Sequence, residues 1–149
     1  MSRIRRILHP TDFSPASQAA LARAVELCRA SRAQLLIVHV FSPVIPVAGE
    51  AYFALPQAYE RMLADIRADG QRGLDRVVAR AKKAGVRVKG LLLEGVPHDR
   101  IVRAARSTRA DLVVMGTHGR TGLARFFIGS VAARVIALAP CPVMTVRGK

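Results

Sequence analysis

The run LLIVHVF, residues 35–41, decides the fold class of this chain. All of its residues except His39 are apolar, several are β-branched, and the run is too short for a typical helix. Such a run is typical of a strand that is covered on both faces, as in a parallel sheet with helices above and below it. His39 is interpreted as a core histidine with a hydrogen-bonded ring.

A helix and an earlier strand precede this run. Ser14 and Pro15 supply an N-cap and a favoured first helical residue, and apolar residues then recur at three- and four-residue spacing. This pattern predicts a helix over about residues 15–31. The apolar stretch 4–8 before it predicts the first strand.

Residues 42–56 contain three prolines and no clear period, which predicts a long loop, either a lid or a dimer contact. Strands and helices alternate after it, and such alternation predicts an α/β fold in one domain, residues 1–149, with helices on both faces of a parallel sheet. The later predicted elements are a helix at 57–84, an edge strand at 86–94, a helix at 98–109, a strand at 112–115, a helix at 130–138 and a strand at 142–146.

Composition restricts the class of protein. With 51% hydrophobic residues, the chain lacks the run of about 20 apolar residues that a membrane span requires. Its first 13 residues do not resemble a secretory signal, so a cytoplasmic location is expected. Cys28 and Cys141 have neither disulfide-framework nor metal-site spacing and are interpreted as buried small apolar residues.

The net charge of +14 is unusual, since 24 basic residues oppose 10 acidic ones. Such a charge attracts nucleic acid, anionic membranes or phosphorylated small molecules. Twenty of the basic residues are arginine, so a codon bias toward arginine and alanine is an alternative explanation. Arg72, Arg76 and Arg80 form a basic stripe on the long helix, which is either a solvated outer face or an anion-binding surface.

The stretch GTHGRTGLARFFIGS, residues 116–130, follows the predicted strand at 112–115. Ligands of parallel α/β sheets bind outside the carboxyl ends of the strands. Glycines let backbone N–H groups approach a ligand closely, and the start of the helix at Ser130 adds further donors and a favourable dipole. Arg120 carries suitable charge for a phosphate contact, whereas Arg125 either adds to that charge or is simply solvated. The residues therefore predict an anion site, best suited to a polyphosphate.

The spacing Gly116-x2-Gly119-x9-Gly129-Ser130 closely resembles the nucleotide-binding signature of the universal stress protein family, in its ATP-binding branch. Other segments are similar to recurring elements of that family, so the resemblance covers nearly the whole chain. These segments are Pro10-Thr11-Asp12, His39-Val40, Gly95-Val96-Pro97-His98 and Cys141-Pro142-Val143.

The resemblance implies a Rossmann-like sandwich of the adenine nucleotide alpha hydrolase type. Its five-stranded parallel sheet has the order 3-2-1-4-5. It also implies a homodimer formed through the last strand, and ATP held between the ends of strands one and four. Mg²⁺ or Mn²⁺ would be carried in by the triphosphate.

Roles follow from the resemblance by position. Asp12 would reach the ribose, although a turn or cap residue is the alternative, and Val40 would present backbone groups to the adenine, although periodicity alone indicates a core valine. The glycine-rich loop and helix start would enclose the phosphates. The expected nucleotide-binding residues are Pro10, Thr11, Asp12, Val40, Met115, Gly116, Thr117, His118, Gly119, Arg120, Thr121, Gly122, Gly129, Ser130 and Val131.

Catalysis is not predicted. ATP hydrolysis requires a group that positions water and charges that stabilise the transferring phosphoryl group. His9 and His118 are the histidines nearest to the predicted site, and no paired carboxylate accompanies either. We therefore expect no catalytic or metal-ligating residue, and a nucleotide-responsive homodimeric regulator of the stress response. A slow ATP-hydrolysing switch and a basic nucleic-acid-binding protein are the alternatives, the second disfavoured because the few aromatic residues are placed as core residues.

Overall fold

The computed structural model describes residues 3–43, 56–118 and 128–148. Strands and helices alternate as the sequence predicts, and their bounds lie within two residues of the predicted ones. The elements are β1 (Arg6–Pro10), α1 (Pro15–Ser31), β2 (Gln34–Phe41), α2 (Pro56–Lys83), β3 (Val88–Glu94), α3 (Pro97–Ser107), β4 (Leu112–Gly116), α4 (Ser130–Leu138) and β5 (Val143–Val146).

The five strands form a parallel sheet in the order β3-β2-β1-β4-β5, which confirms the predicted order. The chain order reverses between β1 and β4, since the chain first adds strands on one side of β1 and then on the other. The carboxyl ends of β1 and β4 therefore border the topological switch point, where ligands of open α/β sheets bind.

The run that predicted the fold is covered on both faces. Leu35 and Ile37 pack into a core with α1 and α2, whereas Leu36 and Val38 pack into a second core with α3 and α4. The sheet thus lies between two helical layers. No helix within the described segments is long and apolar enough to cross a membrane.

The ends of α1 follow their capping signals. Ser14 caps the N-terminus, since its Oγ accepts a hydrogen bond from the backbone N–H of Ser17 at 3.2 Å. Cys28, in the last turns of α1, is buried, and burial raises the pKa of its thiol to about 11. Cys141 is only half-buried, so the interpretation of both cysteines as buried apolar residues is correct for Cys28 alone.

Candidate functional site

A cavity of about 340 Å³ lies at the switch point. The turn after β1, the ends of β2 and β4, and the first turns of α1, α3 and α4 form its walls. It is lined by Pro10, Thr11, Asp12, Ser17, Val38, Val40, Pro97, Ile101, Met115, Gly116, Thr117, His118, Gly129, Ser130, Val131 and Ala132.

Eleven of the fifteen expected nucleotide-binding residues line this cavity. The other four, Gly119, Arg120, Thr121 and Gly122, lie outside the described residues, as does Arg125. The sequence interpretation missed five lining residues, of which two reach the cavity through the packing of α3 and three lie close in sequence to expected site residues. The five are Ser17, Val38, Pro97, Ile101 and Ala132.

Asp12 is held by the first turn of α1. Its Oδ1 accepts hydrogen bonds from the backbone N–H of Ser14 at 3.0 Å and from Oγ of Ser17 at 2.6 Å. Burial alone would raise the pKa of the Asp12 carboxyl, but the hydrogen bonds from Ser14 and Ser17 outweigh it and lower the pKa below its ordinary value. Asp12 is therefore ionised at neutral pH. The alternative interpretation of Asp12 as a turn residue is confirmed, and the same carboxylate also lines the cavity.

The turn that carries Asp12 has a strained residue at its centre. Phe13 has a φ of 66°, a left-handed conformation that aromatic residues rarely adopt. Its ring stacks on His39 with a centroid distance of 4.3 Å, and its N–H donates to Thr11 Oγ1 at 3.1 Å. His39 Nδ1 in turn donates to the carbonyl oxygen of Thr11 at 2.8 Å. The predicted core role of His39 is thus confirmed, and its ring fixes the turn from below.

Backbone contacts join the two halves of the glycine-rich stretch. The N–H of Gly129 donates to the carbonyl oxygen of Thr117 at 2.7 Å, and the N–H of Thr117 donates to Val146 at 3.0 Å. Thr117 Oγ1 and His118 Nδ1 share a hydrogen bond of 2.8 Å. The end of β4 and the start of α4 therefore lie side by side at the cavity, although residues 119–127 between them are outside the described chain.

The N-terminus of α4 opens into the cavity. Gly129 occupies the N-cap position, and no side chain in the described segments caps the helix. Ser130, Val131 and Ala132 line the cavity in the first turn, where backbone N–H groups have no partner within the helix. These donors and the positive end of the helix dipole suit a phosphate group.

Gly116 is also required by packing. A Cβ at this position would lie 2.9 Å from the carbonyl carbon of Ala16 in α1, which is backbone and cannot rotate away. The absence of a side chain thus brings the end of β4 against the first turn of α1. This contact accounts for one of the signature glycines without any ligand.

His9 does not line the cavity, whereas His118 does. The His9 ring is fully buried, and its Nδ1 donates to the carbonyl oxygen of Val114 at 2.9 Å. Burial lowers the pKa of His9 to about 4, although the Val114 hydrogen bond and the Asp12 charge act in the opposite direction. Nε2 of this neutral ring has no hydrogen-bond partner within the described chain.

Sequence comparison identifies a family that covers this fold and cavity. The sequence profile of the universal stress protein family matches residues 3–147. A universal stress protein of Thermus aquaticus is 38% identical over 145 residues, which are 96% of this chain and 98% of the relative. One from Methanocaldococcus jannaschii is 37% identical over 96% of this chain and 82% of its own length.

Solved structures have the same fold. The universal stress protein UspA of Lactobacillus plantarum has a TM-score of 0.85 at 26% identity, covering 99% of this chain and all of its own. A universal stress protein in complex with cAMP has a TM-score of 0.70 at 27% identity, with 99% of this chain and 100% of its own covered.

Proposed function

This chain belongs to the universal stress protein family, and we propose that its cavity between β1 and β4 binds ATP. The observation that carries the proposal is the uncapped N-terminus of α4, whose first-turn amides border the cavity at the switch point. The relative that is 27% identical and bound to cAMP supports an adenine nucleotide as the ligand. The proposal treats residues 1–149 as one such domain.

The walls of the cavity suggest how the nucleotide lies. The phosphates are assigned to the first-turn amides of Ser130, Val131 and Ala132 and to the glycine-rich loop, with Arg120 as a cationic partner. The ribose is assigned to Asp12, because an ionised carboxylate accepts hydrogen bonds from hydroxyl groups. The apolar side chains of Val38, Ile101 and Met115, with Val40, form a surface for the adenine.

A divalent cation fits this site as a companion of the triphosphate. Among the described lining residues, Asp12 is the acidic one. Mg²⁺ prefers octahedral oxygen ligands and keeps several waters, so the phosphate oxygens and water molecules would hold it without a cage of protein carboxylates. We assign Mg²⁺ or Mn²⁺ the role of neutralising phosphate charge.

We propose that the protein is a stress-responsive regulator that responds to whether nucleotide is bound and does not hydrolyse ATP. A hydrolase needs a group that positions water beside the terminal phosphate. His9 is buried away from the cavity, and Nδ1 of His118 is engaged with Thr117. We expect phosphate release from ATP to equal that of a Gly129→Asp variant. Release well above that variant would support the ATP-hydrolysing switch instead.

We further propose a homodimer formed through β5. This strand is at the edge of the sheet, and all four of its residues are half-buried in the single chain. Ile136 and Leu138 in the preceding helix α4 are 45% and 52% exposed. An open edge strand, together with exposed apolar side chains in the helix that precedes it, favours addition of a second copy.

Mass spectrometry of nucleotide released by denaturing freshly purified protein tests the proposed ligand. The account predicts an adenine nucleotide at about one per chain, and its mass distinguishes ATP, AMP and cAMP. Denatured protein that releases no nucleotide, combined with native protein that binds none of the three when they are added, would exclude the proposal.

A further inference from the structure

A second groove lies on the α1 and α2 side of the sheet, and none of the described groups assigned to the phosphates lines it. Its volume is about 770 Å³, and it is bordered by α1, α2 and the carboxyl end of β2. Arg72, Arg76 and Arg80 line it. The basic stripe, for which the sequence allowed a solvated face or an anion-binding surface, thus borders a concave surface.

The three arginines share one face of α2. They are four residues apart, which corresponds to a rise of about 6 Å between successive side chains. Gly73 and Val77, on the same face, line the groove as well. Arg72 pairs with Asp69. The side chains of Arg76 and Arg80 make no ion pair or hydrogen bond within the described chain, so both retain their capacity to bind an anion.

The floor of the groove is apolar and rigid. The Phe13 ring packs so closely on α2 that a Cβ at Gly73 would lie 2.6 Å from it, and the ring also stacks on His39. Leu21 and Val77 extend this floor. The groove therefore combines cationic side chains with a surface for the non-polar part of a ligand.

Another arginine-lined groove, of about 600 Å³, is explained by helix ends. Arg29, Arg32 and Arg87 line it beside the C-termini of α1 and α2, where the helix dipole is negative and attracts basic residues. Arg87 donates to the carbonyl oxygen of Arg32 there. In the larger groove this explanation applies to Arg80, which is in the last turn of α2, but not to Arg72 and Arg76, which lie further from the helix end.

We propose that the groove between α1 and α2 is a second ligand site, which binds a small organic molecule carrying at least two phosphoryl groups. Arg76 and Arg80 hold the phosphoryl groups, since guanidinium groups bind phosphate oxygens in pairs. The apolar remainder lies on the Phe13 floor. A concave volume of about 770 Å³ is within the range of small-molecule sites, whereas a nucleic acid requires an extended basic surface.

The site is separate from the nucleotide cavity but borders it. Thr11, Asp12, Ser17 and Val40 line both, so a ligand in one changes the surroundings of a wall of the other. The inference does not depend on the proposed function, because the arginines, the groove and its floor are independent of α4.

An NMR titration with inorganic pyrophosphate tests the proposal. The titration uses the Gly129→Asp background, in which a carboxylate blocks the phosphate position at α4. Amide shifts are expected to concentrate at residues 72–80. In the variant that adds Arg76→Gln and Arg80→Gln, we expect the pyrophosphate Kd to rise at least tenfold. A matched control that adds Arg106→Gln and Arg109→Gln removes the same charge from exposed positions outside the groove, and should change Kd less than twofold.

Three outcomes would overturn the proposal. Equal loss of affinity in both double variants would mean that net charge alone attracts the anion. Absence of pyrophosphate binding in the Gly129→Asp background would mean that the groove is not an anion site. A single-stranded oligonucleotide that shifts residues 72–80 where pyrophosphate does not would assign the surface to nucleic acid. Because ATP is absent from this titration, the result can be interpreted whether or not the protein binds ATP in the other cavity.

Discussion

The Asp12 carboxylate owes its low pKa to neighbours in its own turn. Ser17 Oγ donates to it at 2.6 Å, and the backbone N–H of Ser14 donates at 3.0 Å. Because the folded pKa is lowered, the resulting stabilisation is present above the ordinary aspartate pKa and is lost as the pH falls through the folded value. The turn therefore couples the ionisation of a cavity residue to the capping of α1.

Replacement of Ser17 by alanine tests this coupling. Loss of the hydrogen bond should raise the pKa of Asp12 and reduce the free energy of unfolding at pH 7 by about 1.5 kcal/mol. Carbon-detected NMR titration of the carboxyl group and urea unfolding measure the two effects. Ser107→Ala removes a hydroxyl that bonds within α3, and should leave the pKa of Asp12 unchanged. An unaltered Asp12 pKa in Ser17→Ala would contradict the account.

The contribution of His9 to the free energy of unfolding is lost at low pH, whereas that of a histidine paired with a carboxylate is lost at high pH. Its pKa falls from 6.5 to about 4 on folding, so below pH 6.5 the unfolded chain binds the proton that the folded chain excludes. The free energy of unfolding should therefore decrease as the pH falls from 6.5 to 4, by about 3 kcal/mol in total.

Comparison of the wild type with His9→Gln isolates this effect. Glutamine does not titrate, so the difference in unfolding free energy between the two proteins should change by that amount between pH 7 and pH 4. Urea unfolding at several pH values gives the measurement. Parallel pH profiles for the two proteins would show that burial of His9 is not responsible.

Helix α2 shows how one element is shaped by another. Glycine within a helix costs about 1 kcal/mol relative to alanine, yet α2 has Gly70 and Gly73 at buried positions. A Cβ at Gly70 would lie 3.1 Å from the His39 ring, and one at Gly73 would lie 2.6 Å from the Phe13 ring. Both glycines therefore let α2 pack on the aromatic pair that fixes the Asp12 turn.

A double-mutant cycle on Gly73 and Phe13 tests this packing. Gly73→Ala should destabilise the wild type by about 1 to 3 kcal/mol, because the methyl group displaces the ring. In a Phe13→Ala background the same change should stabilise the protein, by up to about 1 kcal/mol, because only the helix preference remains. Thermal unfolding of the four proteins gives the coupling, and the same sign of effect in both backgrounds would refute the explanation.

Local signals explain why the elements were predictable from the sequence. The Ser14-Pro15 cap and the apolar run 35–41 act over a few residues, and their elements were predicted within one residue. The contact of Gly73 with Phe13 joins residues from different elements, so spacing gave no signal for it. Likewise, Pro97 and Ile101 reach the cavity only because α3 packs against β2 and α4.

At the scale of the molecule, parallel topology assembles the candidate site. Residues around 10, 40, 116 and 130 are far apart in sequence, and they meet because the carboxyl ends of parallel strands share one edge of the sheet. The strand order and the residue assignments could be predicted only from the resemblance to a family. The alternation of strands and helices by itself predicted only a parallel sheet. The sequence could not tell whether the Arg72–Arg80 stripe faces solvent or a groove, because this depends on how α1 and α2 are placed in the fold.

The homodimer is tested by light scattering after size exclusion. Wild type is expected at twice the chain mass of 16.1 kDa. A variant with Ile136→Lys and Leu138→Lys should elute as a monomer, because the two charges would be buried in the proposed interface. It should still fold, since both side chains are exposed in the single chain. Val96→Lys, at a similarly exposed valine before α3, should stay dimeric. A monomeric wild type at concentrations of about 100 µM would disprove the interface.

The central claim is that the amides at the start of α4 bind the phosphates of ATP, and calorimetric titration of ATP into the wild type and Gly129→Asp tests it most directly. Aspartate is a favoured N-cap, so the variant should fold with equal or greater stability while its carboxylate repels the phosphates. Val96→Asp is the matched control, since Val96 caps α3 without a side-chain hydrogen bond and lies outside the cavity lining. The account predicts a loss of ATP affinity of at least tenfold for Gly129→Asp and a change of less than threefold for Val96→Asp. Equal ATP affinity in the wild type and Gly129→Asp would contradict it.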